Sequence, residues 1–548
     1  MKSKSSIFIA IVLTLTLVLS ACSNNVNEVN ETNDSGTNEA NQSADEGLMF
    51  PLKEKVTLKA VAHRPPLAPT DFNDQPLIQE LEKTTNVHIE WDTIVEADYI
   101  AKRNLLLASG SLPDFFFSGR FSDSELVRYS ADGTLISLDD LIENNMPNLK
   151  AILDSRPDIK AQITAPDGKI YSLPQGEELG AGQNEIGANP DFLYINQEWL
   201  DKLELKMPTT MDEFTAVLKA FKTKDPNGNN KADEIPLTYI DNFWTGDIGV
   251  LFGAFGVPDK THRPNNPSYI DHLNVVSGEI QFAPMQDGYK EAVSYIHEWF
   301  TDKLVDLEAF THDYDTYFAR GKTEDETIGA MIWWDKNDVA GEERGKHWVL
   351  VPPFKDMIVK WNNGGGFGRD GVTITSANKN PEITAAWLDS FYEPTFAAQA
   401  RFGPIGVWYD QDANGKLTQR KVDNPGEFRQ SSSITNGIGL LLEEHMDMVE
   451  YAEPRALERI NDSVEVYVPQ MQAEKFPNIF FTEAELKVID KTKLDISTYV
   501  NSTRAKWLLT GGVQEEWDQF QATLKKMGIE ELLQAHQTAY DRYLEAQK

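Results

Sequence analysis

Cysteine is nearly missing from this chain: the one present is Cys22. A body with no further thiol excludes disulfides, cysteine nucleophiles and cysteine-ligated metals, so stability has to come from an ordinary hydrophobic core. Basic residues are scarce as well. Lys and Arg number 51 against 86 Asp and Glu, a formal charge of −35. That balance excludes nucleic acid as a partner, because phosphates are bound by displacing counterions with basic surface. Enzyme signatures are also lacking. There is no H-E-x-x-H and no G-x-S-x-G, and Ser376-Ala377-Asn378-Lys379 matches S-x-x-K without its S-D-N and K-T-G companions. With so many acids, a carboxylate pair near a cleft is expected by chance and does not by itself mark a hydrolase or lyase.

What is present begins at the N-terminus. Lys2 and Lys4 precede an apolar stretch from Ile7 to Leu19, followed by Leu19-Ser20-Ala21-Cys22. The stretch is too short for a comfortable membrane span and reads as a secretory signal peptide over residues 1–21. The last four residues match a bacterial lipobox, so Cys22 is expected to carry a lipid anchor, palmitate included, and to become the mature N-terminus. Ser23 to Gly47 has no basic residue and no aromatic. Such a segment cannot bury enough apolar surface to offset its ordering entropy, and residues 22–50 read as a lipid-anchored acidic tether. The expected location is extracytoplasmic, on the outer face of the cell membrane and held there by the lipid alone.

From Val56 the hydrophobic period alternates between two and three to four residues, the pattern of strands and helices in an open α/β sheet. "KVTLKAVAH" and "VHIEW" read as strands flanking a helix at Leu77, Ile78 and Leu81; "NLLLASG" ends a second helix at Gly110, before the apolar run Phe115 to Phe117. Further along, Phe192 to Asn196 reads as a strand, and Thr209 or Thr210 caps a helix whose Phe214, Val217, Leu218 and Phe221 share a face. "ETIGAMIWWD", "HWVLVPPF" and "GVTITS" are further strands, and from Glu443 the chain reads as mostly helical. No internal repeat or linker divides residues 51–548.

The helix after Thr210 delivers the chain to "DPNGNNKADEIP", Asp225 to Pro236. Oxygen-bearing side chains recur at Asp225, Asn227, Asn229 and Asp233, with Glu234 alongside. Hard cations such as calcium take six to eight oxygens in flexible geometry. The stretch departs from the EF-hand signature, with Asn230 where glycine is usual and an acid that comes early, and no partner hand exists elsewhere. A calcium here is expected to fasten one part of the fold and not to act as a sensor.

"GSLPDFFF", "DGKIYSLPQ", "LYINQEWLDKLELKMPTTMDEF", "GAMIWW", "GVTITSANKNPEITAAWL" and the closing "AYDRY", in this order, resemble the extracellular solute-binding proteins (family 1) of bacterial sugar importers, the group of maltose- and alginate-oligosaccharide-binding proteins. The resemblance implies an α/β, two-lobed periplasmic-binding-protein-like fold with a ligand cleft between the lobes. Residues 51–178 with 359–400 would form the N-terminal lobe and residues 179–358 with 401–548 the C-terminal one. It implies a structural calcium on the side chains of Asp225, Asn227, Asn229, Asp233 and Glu234 and the Lys231 carbonyl. It also implies capture of an oligosaccharide, by hinge closure without catalysis, for ABC transporter membrane subunits, by a monomer.

Sugars are held by aromatic faces with Asp, Asn and Arg on their hydroxyls. Positions after strands put forward Trp244 with Phe243 as its substitute, Trp333 or Trp334, and Arg120; Arg64, Trp361 and Asn362 follow as weaker candidates. Alternation sends Trp333 and Trp334 to opposite faces, so one belongs to the core, and which one stays open. The same fold binding a peptide or other solute, a surface-anchored polysaccharide hydrolase or lyase, and a calcium-dependent adhesin are the competing readings.

Overall fold

The computed structural model describes residues 48–178, 191–241, 243, 245–260, 271–311, 313–360, 367–422, 425–434, 437–450, 458, 461 and 463–548. Cys22, Trp244, Trp361, Asn362 and nearly all of the expected tether lie outside the described residues.

The first sheet has six strands in the order β14-β4-β11-β3-β1-β2. They are β1 (Val56–Arg64), β2 (Val87–Val95), β3 (Phe115–Phe117), β4 (Leu173–Glu177), β11 (Gly368–Ile374) and β14 (Gly439–Leu441). Strand β1 runs parallel to both neighbours, pairing Val56 with Val87 and Ala62 with Phe117, while β11 is antiparallel to β3 and β4. Phe115, Phe116 and Phe117 are fully buried because both faces of the sheet are covered. Helix Pro76–Thr85 packs Leu77, Ile78 and Leu81 inward, the spacing that its periodicity predicts.

The second sheet has four strands, β10 (Trp348–Leu350), β5 (Phe192–Asn196), β9 (Ile328–Trp333) and β6 (Ile235–Thr238), in that order. Here β6 and β9 are parallel, and β5 is antiparallel to β9 with Phe192 opposite Trp333. A hairpin of β7 (Leu273–Val276) and β8 (Glu279–Phe282) and a small sheet of β12 (Tyr409–Gln411), β13 (Leu417–Gln419) and β15 (Val449–Glu450) complete the strands among the described residues.

The two largest hydrophobic cores among the described residues follow from these sheets. One joins Leu58, Phe115, Leu173, Trp387 and Leu440; the other joins Leu193, Phe221, Trp299, Phe354, Ile489 and Tyr540. The chain passes from the first core to the second after β4, returns before β11 and crosses again after β14. These are two lobes wound through one another.

The expected boundaries differ at two places. Strand β14 pairs with β4, and Ile434, Ile438 and Leu442 join the first core, so the stretch around residues 434–442 does not belong with the second lobe. The unpaired edge of β4 supplies the reason: a strand there completes its backbone hydrogen bonds. Val359 bonds in a parallel bridge to Met471, and Lys360 donates to Leu273 O and Asn274 Oδ1, placing that segment on the second lobe. The periodic C-terminal stretch is two helices, Val513–Met527 and Ile529–Ala546, separated at Gly528, whose φ of 93° suits a residue without Cβ.

Candidate functional site

The cation loop is built by its two neighbours. Thr210 caps helix Met211–Thr223 by accepting from Glu213 N at 3.2 Å, and Thr209 returns its N–H and hydroxyl to the Glu213 carboxylate at 2.8 and 2.7 Å. The helix ends just before Asp225, and β6 begins just after Glu234. In between, Asp225 accepts from Asn229 N at 3.1 Å and Asn230 N at 3.0 Å, and Asn229 Oδ1 accepts from Lys231 N at 2.8 Å. These side-chain-to-backbone bonds curl the loop around its own oxygens.

Asn227 and Asn229 turn their amide nitrogens toward Asp233, at 3.4 Å and at 3.1 to 3.2 Å. Half a turn of each amide exchanges that nitrogen for an oxygen. Glu234 is 3% exposed, and its Oε1 has no hydrogen-bond partner among the described residues. Burial, followed by the charges of Asp233 and Asp225, raises its carboxyl above the usual range. Lys231, the nearest cation in sequence, is engaged by Asp325 at 2.7 Å. An orphaned buried carboxylate oxygen beside two more carboxylates and two amides fits a hard divalent cation. Elsewhere, Glu198, Glu326 and His347 bring ligand atoms within 4.8 Å of one another, but this group is partly exposed and Arg344 already pairs with Glu326 at 3.2 Å.

The expected ligand residues fall at two strand ends. On the first sheet, the register of β1 and β3 brings Arg64 and Arg120 to the same edge. Arg64 Nη1 donates to Ala68 O at 3.0 Å, and Arg120 Nη1 reaches Glu96 at 3.2 Å. Ser118 and Arg120 both have positive φ, 54° and 50°. That turn is held from behind by Arg103, buried under Phe121 and donating to the Gly119 and Arg120 carbonyls at 2.8 and 2.6 Å. Sequence reading passed over Arg103, since a lone arginine in an amphipathic helix carries no local signal.

On the second sheet, the ends of β6 and β9 and the start of β5 meet at one edge. Trp333 is fully buried, its ring enclosed by Tyr317, Phe318 and Phe243 and its Nε1 donating to Asp338 at 3.3 Å. It is a core residue, which corrects its standing as a ligand candidate. Trp334, one residue past the end of β9, is half-buried 6.3 Å from the Phe192 ring and packs against the same cluster as Trp333, so the expected alternation to opposite faces does not hold here. Phe243, also half-buried, lies over Trp333. Around them sits a charged cluster that sequence reading missed, made of Asp191, Asp241, Asp247, Asp259, Lys260, His272 and Arg504. Burial pushes Asp241 up to about 6 against the pull of Arg504.

The family model for bacterial extracellular solute-binding proteins matches residues 70–398. The chain is 39% identical over 510 residues, 91% of its length and 92% of the relative's, to the fructooligosaccharide ABC transporter substrate-binding protein FusA of Streptococcus pneumoniae. The structure of FusA in complex with kestose matches with a TM-score of 0.76 at 37% identity, covering 89% of this chain and 99% of that one. A FusA EF-hand mutant in complex with fructo-nystose matches with the same values. These relatives are substrate-binding proteins and not enzymes, and so is this chain. Among the described residues no helix is long and apolar enough to cross a membrane.

Proposed function

This chain belongs to the bacterial extracellular solute-binding protein family, and we propose that it captures a short oligosaccharide of the fructooligosaccharide class for uptake by an ABC transporter. The observation that carries this reading is the 39% identity to FusA over 91% of the chain. The lobes close on the sugar about a hinge, and the closed form presents a surface that the membrane subunits recognise. No bond is broken. Arg64 and Arg120 on one lobe and Phe243 and Trp334 on the other are the residues we assign to the sugar, with Trp244, Trp361 and Asn362, which lie outside the described residues. The aromatic side chains stack on ring C–H faces, and the guanidinium groups address hydroxyls.

Asp225, Asn227, Asn229, Asp233, Glu234 and the Lys231 carbonyl would hold calcium, which neutralises buried carboxylates at the start of β6 and so fastens the second lobe. The EF-hand of FusA, whose mutant still holds fructo-nystose, supports a structural role for the loop. Cys22 would tether the protein to the membrane through lipid, and the binding unit would act as a monomer.

Isothermal titration of a soluble form starting after Cys22, in calcium, with kestose, maltose, an alginate oligomer and a peptide pool tests the reading. Saturable heat with kestose and recovery of the sugar intact is the expected result. Heat with the peptide pool alone would replace the sugar reading with the peptide one.

A further inference from the structure

The turn from Asp241 to Asp247 leaves β6 and carries Phe243 to the edge of the second sheet. Both of its ends meet one side chain. Arg504, 1% exposed and projecting from helix Glu483–Thr510, places Nη2 at 3.2 Å from Asp241 Oδ1 and 2.6 Å from Asp247 Oδ1. Its Nη1 lies 3.3 Å from Asp259 Oδ2, and Asp259 in turn holds His272 at 2.8 Å. His272 reaches back to Asn501 at 3.0 Å, one turn along the same helix, so the arginine sits in a closed ring of contacts.

The far end of the turn is pinned a second time. Asp191, at the start of β5, accepts from the backbone N–H of Gly246 and from that of Asp247 at 3.3 Å, with Lys260 on its other oxygen. Gly246 has a φ of 100°, and a Cβ there would meet Ile240 Cγ2 at 2.5 Å. Asp247 also caps the next helical segment through Gly249 N at 2.6 Å. A charged group is costly to bury unless it is paired and hydrogen-bonded, and the planar guanidinium reaches several carboxylates at fixed angles where an ammonium does not. Plain packing of two elements would be met by apolar residues. A buried arginine whose partners bracket one short turn is suited to setting that turn's shape.

We infer that Arg504 is a positioning residue for sugar binding: by holding Asp241 and Asp247 together it fixes the turn that presents Phe243 to the ligand. This rests on the reading of that turn as ligand-facing. Arg504 does not touch the sugar; it acts through the turn, from a position more than two hundred and fifty residues away in sequence.

A double-mutant cycle on the full soluble chain, read by kestose titration in calcium, tests the inference. Arg504→Lys keeps the charge and loses the fork. It is expected to weaken kestose by about tenfold or more, with the effect falling to about twofold or less in a Phe243→Ala background, because two residues acting through one turn are non-additive. The calcium-dependent rise in thermal midpoint, which reports the loop at the other end of β6, is expected to persist. Asp241→Asn, which leaves the Arg504–Asp247 contact in place, is a second variant expected to weaken kestose in the same direction. Wild-type affinity in both Arg504→Lys and Asp241→Asn, with Phe243→Ala weakened, would overturn the positioning role alone. Losses that multiply in the double variant would also overturn it. Wild-type affinity in Phe243→Ala would overturn the ligand-facing reading of the turn, and this inference with it.

Discussion

Phe243 lies nearly parallel to Trp333, with ring centroids 6.1 Å apart and planes 16° apart. One ring is half-buried at the edge of the second sheet, and the other is fully enclosed. The neighbouring Trp334 follows the end of β9 and stays half-buried beside Phe192.

The two tryptophans should therefore separate stability from binding. Trp333→Ala is expected to lose about 3–5 kcal/mol of unfolding free energy, the usual range for emptying a large aromatic site. Trp334→Ala is expected to lose much less stability and to weaken kestose in titration. Urea unfolding beside titration distinguishes them; equal destabilisation by both would place Trp334 in the core as well.

Calcium removal should loosen the second lobe. The orphaned Glu234 Oε1 lies near Asp225 and Asp233, whose charges it feels. A ligand bound by the native state alone raises the thermal midpoint with concentration. Calcium is expected to do so for the wild type, chelator to reverse it, and Glu234→Gln to blunt it strongly. A midpoint indifferent to calcium would count against the loop as a calcium site.

Arg369 on β11 is buried against Asp123, with N–O contacts of 2.8 and 2.6 Å, and donates to the carbonyls of Asn478 at 2.8 Å and Ile479 at 2.7 Å. It thus ties the first sheet to the segment that leads into helix Glu483–Thr510. Removing one partner of a buried pair strands the other, so Arg369→Met is expected to cost about 3–5 kcal/mol in urea unfolding. A cost within about 0.5 kcal/mol, the range of ordinary surface changes, would contradict this.

His536 is fully buried against Phe476 and Phe481 and bonds through Nδ1 to Leu532 O at 2.8 Å. Burial lowers its folded value from 6.5 to about 4, so the neutral ring is the one that fits. The associated stability is present above the unfolded value and is lost as pH falls through the folded one. Its size is roughly 3 kcal/mol over that window. His536→Phe is expected to flatten the stability profile between pH 6.5 and 4, measured by denaturant unfolding at each pH. An unchanged slope would remove His536 from the acid response.

Cys22→Ala should release the protein from the membrane fraction into the medium, with kestose affinity unaltered. Retention in the membrane would point to another attachment. Mass spectrometry of the N-terminal peptide identifies the lipid.

Features written in neighbouring residues were legible without coordinates. The Thr209–Thr210–Glu213 cap, the oxygen spacing from Asp225 to Glu234, the inward face of Phe214, Val217, Leu218 and Phe221, and the apolar run at Phe115 all depend on bonds or periods a few residues long. Tertiary structure alone decided the rest. Whether Trp333 or Trp334 is enclosed depends on Tyr317 and Phe318 lying over one face of β9. The placement of Gly439–Leu441 depends on which sheet edge offers open backbone groups. The meeting of Arg504 with Asp241, Asp247 and Asp259, and of Asp191 with Gly246, joins segments distant in the chain. A buried charge finds its partner through the packing of whole elements, and no local spacing records where that partner stands.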